Sequence, residues 1–280
     1  MSQSRITIRY FEVGKMKKTG IEFTTALESI SDMIRVDERR RSLDGVHFRL
    51  ERHEIFRDCI RGEMTRIQND NLPAEVQDDE LLELDVDELG YGVAFIYDPV
   101  LSILAMQYDP RIVAPSKLGE YLKAHDPQNE FYFRPILGED GWGSFLEGDV
   151  TRFKVKIATP GDYDLGLDHE ATASMSAIAK AFEAPYITIE LGVGHKKSIL
   201  HTDVKDLARR ILRTQAVKTM KAKTVGSLDE VDLMEQLLHD RDSIEIPADP
   251  QESYTARSGC VYSNYITRKG FLTEYVARAD

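Results

Sequence analysis

Eight basic residues stand out for their spacing: Lys196, Lys197, Lys205, Arg209, Arg210, Arg213, Lys221 and Lys223. From Lys205 to Lys223 the only acid is Asp206, in a chain whose net charge is −12. Ammonium and guanidinium groups neutralise phosphates and release condensed counterions. Such a local excess on an acidic background therefore points to nucleic-acid phosphates. Lys205, Arg209 and Arg213 recur every four residues, which places them along one face of a helix. Lys221 and Lys223 are two apart, which places them on one side of a strand. Arg39, Arg40 and Arg41 form a second basic group that could assist the first. The same cations also suit contact with an acidic protein surface, including the acidic run of a neighbouring copy, or a solvated face with no role.

Other chemistry finds less support. The sequence holds no phosphate-binding P-loop, no GxGxxG, no HExxH, no CxxC and no GxSxG. Its seven histidines are scattered without a ligand partner at short spacing. Residues 75–88 carry eight acids and no base, but without the glycine spacing of a calcium loop, so a solvated face is expected there. Neither a cofactor nor a metal site is expected. Carboxylates distant in sequence would have to converge for the chain to be a metal-dependent nuclease. In IRGEMTRIQ, Arg61 and Glu63 share a strand face and read as an ion-paired, exposed pair. Gly90-Tyr91-Gly92 begins like the RNA-recognition signature, but Leu89 stands for its basic residue and Val93 for its second aromatic, so a buried strand is expected instead.

The elements that position these residues follow from pattern. Gly92–Tyr97 and Val100–Tyr108 are apolar runs parted by Asp98-Pro99, a turn dipeptide; they predict a central hairpin over 92–108 with a helix packed on it. RITIRYFE predicts a first strand, and a helix follows to about Ile34, capped by Thr24 or Thr25. Residues 46–51 and 57–68 predict a second hairpin closed by Leu72-Pro73. Thr151–Ala158, TRFKVKIA, alternates as a strand should. Later, 170–182 and 202–213 read as helices, 217–225 as a strand, 228–239 as a helix, and the C-terminal stretch as a long helix. The whole predicts an α+β protein of two domains, each a mainly antiparallel sheet with helices on one face. The expected bounds are 1–158 and 169–280, with a Gly-, Pro- and Asp-rich linker at 159–168.

At 280 residues, with 42% hydrophobic and 30% charged residues, the chain can bury a sizeable core beneath a charged surface. Two cysteines, Cys59 and Cys260, make no disulfide framework. With no apolar leader and no run long enough to span a bilayer, a cytoplasmic protein without membrane insertion is expected.

The order of parts is an N-terminal strand and helix, a basic hairpin ending in Leu72-Pro73, the FIYDP…ILAMQ hairpin, a short helix, and a compact tail ending in a long helix. This layout resembles uncharacterised bacterial families carried on prophages and defence islands, and is similar to the KwaB subunit of the Kiwa anti-phage system. The resemblance covers most of the chain but carries no motif, so no functional residue transfers. It implies a cytoplasmic homo-oligomer that binds phage or host nucleic acid (DNA or RNA) or a phage protein. Together with the basic cluster, it predicts a non-enzymatic component of anti-phage defence that binds nucleic acid. A module that recognises a phage or host protein is the alternative, and an unrecognised metal-dependent nuclease is the third reading.

Overall fold

The computed structural model describes residues 3–15, 20–77, 80–138, 145–158, 181–194, 198–212, 217–227, 229–234 and 237–279. The expected linker at 159–168 and nearly all of the helix expected at 170–182 lie outside them. The chain is α+β, with mainly antiparallel sheets. Its contacts divide it into two compact units: Met1–Phe133 with His239–Asp280, and Arg134–Leu238. This division falls elsewhere than the boundary expected at 159–168, because the C-terminal segment returns to the N-terminal sheet.

In the first unit, β1 (Gln3–Lys15), α1 (Phe23–Ser31), β2 (Arg41–Leu43), β3 (Val46–Phe56) and β4 (Cys59–Gln68) come first. A small ribbon of β5 (Glu75–Gln77) and β6 (Glu80–Leu82) follows, then β7 (Leu89–Asp98), β8 (Ile103–Gln107) and α2 (Pro115–His125). The short strand β9 (Phe131–Pro135) pairs with β1. The second unit contains β10 (Val150–Ala158), β11 (Tyr186–Gly192), α3 (Asp203–Leu212), β12 (Val217–Thr224) and β13 (Val231–Asp232). The chain then returns to the first unit as β14 (His239–Glu245) and α4 (Pro250–Ala279).

The large sheet runs β14-β1-β8-β7-β4-β3-β2, every pairing antiparallel. The expected 92–108 hairpin is β7 and β8. Asp98 closes its turn by accepting the Val100 and Leu101 N–H groups at 2.8 and 3.1 Å. One sheet face carries Phe11, Phe48, Leu50, Met64, Phe95 and Leu104, and α1 and α2 pack on it. Phe23 of α1 is the hub, with its ring edge-on to Tyr97, Phe131 and Phe133 at 4.7, 5.3 and 5.8 Å. Burying such a ring contributes about 2–3 kcal/mol. α1 starts at Phe23 behind Glu22, which makes no side-chain cap, rather than behind Thr24 or Thr25. It ends at Ser31, leaving Ile34 at the surface.

The other face carries Ile8, Ala94, Ile96, Ile103 and Ala105, and α4 covers it. Tyr254, Val261, Tyr265 and Leu272 form one buried stripe of α4 at helical spacing. The large sheet is thus covered on both faces, whereas helices on one face were expected. Lost register explains one further detail. A bulge between Leu50 and Arg52 shifts β3 against β4, so Arg52 and Glu54 join Glu63 and Arg61 under α4. The helix expected over 228–239 is replaced, among the described residues, by β13, a turn and the start of β14. The Asp232 carboxylate accepts the Met234 N–H at 2.9 Å, and the Leu233 N–H is spent on the Met220 carbonyl at 2.7 Å. Those bonds turn the chain out of a helical path.

Candidate nucleic-acid interface

The second unit's sheet runs β11-β10-β12-β13, all antiparallel. Strand alternation sorts its side chains by face. Phe153, Val155 and Ile157 of β10 and Met220 and Ala222 of β12 point to a core closed by Val204, Ala208 and Ile211 of α3. The alternate positions therefore face away from that core, and they are Arg152, Lys154, Lys156, Lys221 and Lys223. In the β10–β12 register, Arg152 lies opposite Lys223 and Lys154 opposite Lys221. Cross-strand partners sit about 5 Å apart, where like charges oppose folding.

Three carboxylates temper that repulsion. Glu190 of β11 meets Arg152 at 3.4 Å and Lys154 at 3.3 Å. Glu230 meets Arg152 at 3.2 Å, and Asp232 meets Lys221 at 3.9 Å. The side chains of Arg152, Lys154 and Lys221 remain 53%, 44% and 44% exposed. Among the described residues the face gathers five cations, and an anion reaches it by exchanging partners rather than by unpacking the sheet. At one end, the Lys156 ammonium lies 3.9 Å from the centroid of the Tyr186 ring, which is 52% exposed. This half-open face joins charge to an aromatic surface.

The expected cluster is thereby split. Lys221 and Lys223 belong to the face just described. Lys205 and Arg209 sit on α3, which packs on the sheet's opposite side. There the Lys205 ammonium donates to the Leu146 carbonyl at 2.7 Å, and Arg209 pairs with Asp206 at 2.9 Å. Arg210 lies on α3 with its side chain outside the described residues. Lys196, Lys197 and Arg213 lie outside them altogether. The assisting arginines are engaged in the first unit. Arg39 donates to the Ser31 carbonyl at 2.6 Å, Arg40 pairs with Glu88 at 2.7 Å, and Arg41 donates to the Glu38 and Arg40 carbonyls at 2.8 and 2.7 Å.

Arg152, Lys154 and Lys156 were not in the expected cluster. Their signal was in the sequence all the same: TRFKVKIA alternates cations with apolar residues, and a strand must present the cations together. What the sequence withheld was the pairing of β10 with β12.

The sequence matches a family of unknown function, DUF6731, over residues 1–259. The chain belongs to the DUF6731 family. No curated protein matches it.

The other ionisable cluster of this DUF6731 chain lies beneath α4. Arg257 pairs with Glu63 and donates to the Gly92 carbonyl at 2.8 Å, while Arg52 reaches the second Glu63 oxygen at 3.3 Å. Arg61 pairs with Glu54 at 2.6 Å. The Arg61–Glu63 strand is thus ion-paired as expected, but Glu63 is buried rather than exposed. Further along, Tyr265 donates to Asp98, and Lys269 lies 3.0 Å from the same carboxylate. Burial works against the Asp98 charge, but the Tyr265, Leu101 and Lys269 donors outweigh it and hold its pKa below the usual range. Burial and the Asp98 carboxylate drive the Tyr265 hydroxyl far above its ordinary value. Tyr10 and Arg268 hold Asp240 in the same manner, at 2.6 Å each. Each carboxylate here has its counter-ion and lies under the helix, which is the arrangement of a docking seam. Among the described residues, no three His, Cys, Asp or Glu side chains come together to hold a metal ion, and no helix is long and apolar enough to cross a membrane.

Proposed function

We propose that this protein binds nucleic-acid phosphates through the open face of the β10–β13 sheet, as a non-enzymatic component of anti-phage defence. The observation that carries the binding is the ladder of Arg152, Lys154, Lys156, Lys221 and Lys223 on one solvent-facing surface. Cations opposed across paired strands cost stability, so a sheet selected for folding alone gains nothing from them. A backbone of phosphates offers these cations a continuous row of counter-charge. The anti-phage setting comes from the resemblance in layout alone.

The form of the face favours a single strand. A four-stranded sheet is too broad for the major groove of a duplex, which admits a helix or a two-stranded ribbon. A single strand can run across the surface with its phosphates on the lysines and a base on Tyr186. Fluorescence anisotropy against single- and double-stranded DNA and RNA tests this. Binding should favour single strands and weaken steeply between about 50 and 200 mM salt, as counterion release requires. Lys154→Glu with Lys221→Glu should weaken it at least tenfold and flatten the salt dependence. Duplex preference, or affinity that ignores salt, would contradict the reading. In that case the protein-recognition alternative takes its place.

A further inference from the structure

We propose that the acidic ribbon of one copy of this chain docks on the basic sheet face of a second copy. Among the described residues, β5 and β6 pair with each other and not with the large sheet, and so form a two-stranded arm. Val76 and Leu81 are cross-strand partners on this arm, 77% and 70% exposed, so an apolar pair is held at the surface. The chain then continues through Glu83, Asp85 and Asp87, all exposed. From Arg66 to Arg111 the sequence offers no Lys or Arg in between. The exposed acids of this stretch attract a cationic surface, and the exposed aliphatic pair beside them gains from a contact that removes it from water.

The basic face supplies the opposite charge. Glu83, Asp85 and Asp87 recur at every second residue, as do Arg152, Lys154 and Lys156. The two rows are opposite in charge. Charge complementarity of this kind sets register and speeds encounter while leaving the contact sensitive to salt. The contact joins two different patches, so it is head-to-tail and can propagate or close into a ring. It also places the arm where phosphates would bind, and thus makes self-association and nucleic-acid binding compete. The docking uses the same face as the nucleic-acid reading but does not depend on it, because association is measured with the protein alone.

Sedimentation velocity on the full chain tests the proposal. Wild type should associate at about 50 mM salt and dissociate at about 500 mM, where the Debye length shrinks severalfold. An arm variant (Glu80→Lys, Glu83→Lys, Asp85→Lys) and a face variant (Lys154→Glu, Lys221→Glu) should each self-associate at least tenfold more weakly. Mixed in equal amounts they should form a one-to-one complex, since the intact arm of one meets the intact face of the other. That complex also shows that both variants are folded. A wild type that stays monomeric at low salt, association untouched by the reversals, or a mixture that stays monomeric would each overturn the proposal. Failure of the anisotropy titration with association intact would remove the nucleic-acid reading alone.

Discussion

Glu63 and Arg257 show how much of this fold rests on single side chains. Their side chains are 8% and 10% exposed and pair with each other, while Arg52 reaches the second Glu63 oxygen at 3.3 Å. A buried charge left with no partner costs about 3–5 kcal/mol, whereas a well-packed apolar pair in its place costs far less. Arg52 still reaches Glu63 when Arg257 is removed, so Arg257→Leu should lower stability to urea by less than that, roughly 1–3 kcal/mol, and Glu63→Met combined with Arg257→Leu should recover part of the loss. Equal losses in the single and double variants would show that the pair is not coupled. Asp98 sets a pH dependence of known sign. Its folded pKa lies below the ordinary value of about 3.9, so its stabilisation is present above that value and is lost as pH falls through the lower folded value. Asp98→Asn keeps the acceptor for the Val100 and Leu101 N–H groups but removes the charge. The gap in urea midpoint between wild type and Asp98→Asn should be constant from about pH 7 to 5 and narrow as pH falls below about 4. A gap that stays constant or widens on acidification below about pH 4 would contradict this. The sequence already marked Asp98 as a turn residue, since Asp before Pro is local chemistry. Its second oxygen, engaged by Tyr265 and Lys269, was not legible, because those partners lie far along the chain.

At the scale of elements, β7 and α4 approach closely because Gly92 has no side chain. A Cβ there would strike the Glu63 carboxylate and come within 3.3 Å of the Arg257 guanidinium, both locked in the seam. Gly92→Ala should lower stability by about 1–3 kcal/mol, as overpacking does. At Gly90 the nearest atom to an added Cβ is a Thr65 methyl at 3.2 Å, so Gly90→Ala should cost less. Thermal melts of the two variants check the order, and a larger loss at Gly90 would refute the close approach. Strands with a period of two were legible: β1, β4 and β10 lie where their patterns put them, and the β7–β8 hairpin lies where its two apolar runs and the Asp98-Pro99 turn put it. Elements decided by side-chain capture of the backbone were not. The turn at Asp232–Met234 follows an apolar spacing that imitates a helix, and the bulge after Leu50 leaves no mark on the alternation before it. The basic face was half legible for the same reason. Each strand announced its own cations, and only the sheet order brought β10 and β12 together while parting both from α3.

At the scale of the molecule, the chain leaves its first unit after Phe133 and returns at His239, so the last strand and helix complete the sheet that the first strand began. No local pattern encodes that return. The C-terminal stretch reads as a long helix from sequence, but which sheet it covers depends on pairings such as β1 with β14. The proposed function follows the same separation of sheet and helix: nucleic acid would bind on the strands of the second unit, with no part for α3. The most direct test is fluorescence anisotropy with a single-stranded oligonucleotide at about 50 mM salt, where phosphate contacts bind most tightly, comparing two charge reversals. Lys154→Glu with Lys221→Glu should weaken binding at least tenfold, while Lys205→Glu with Arg209→Glu should leave it within twofold of wild type. The reverse ranking, or full affinity in the strand variant, would contradict the account.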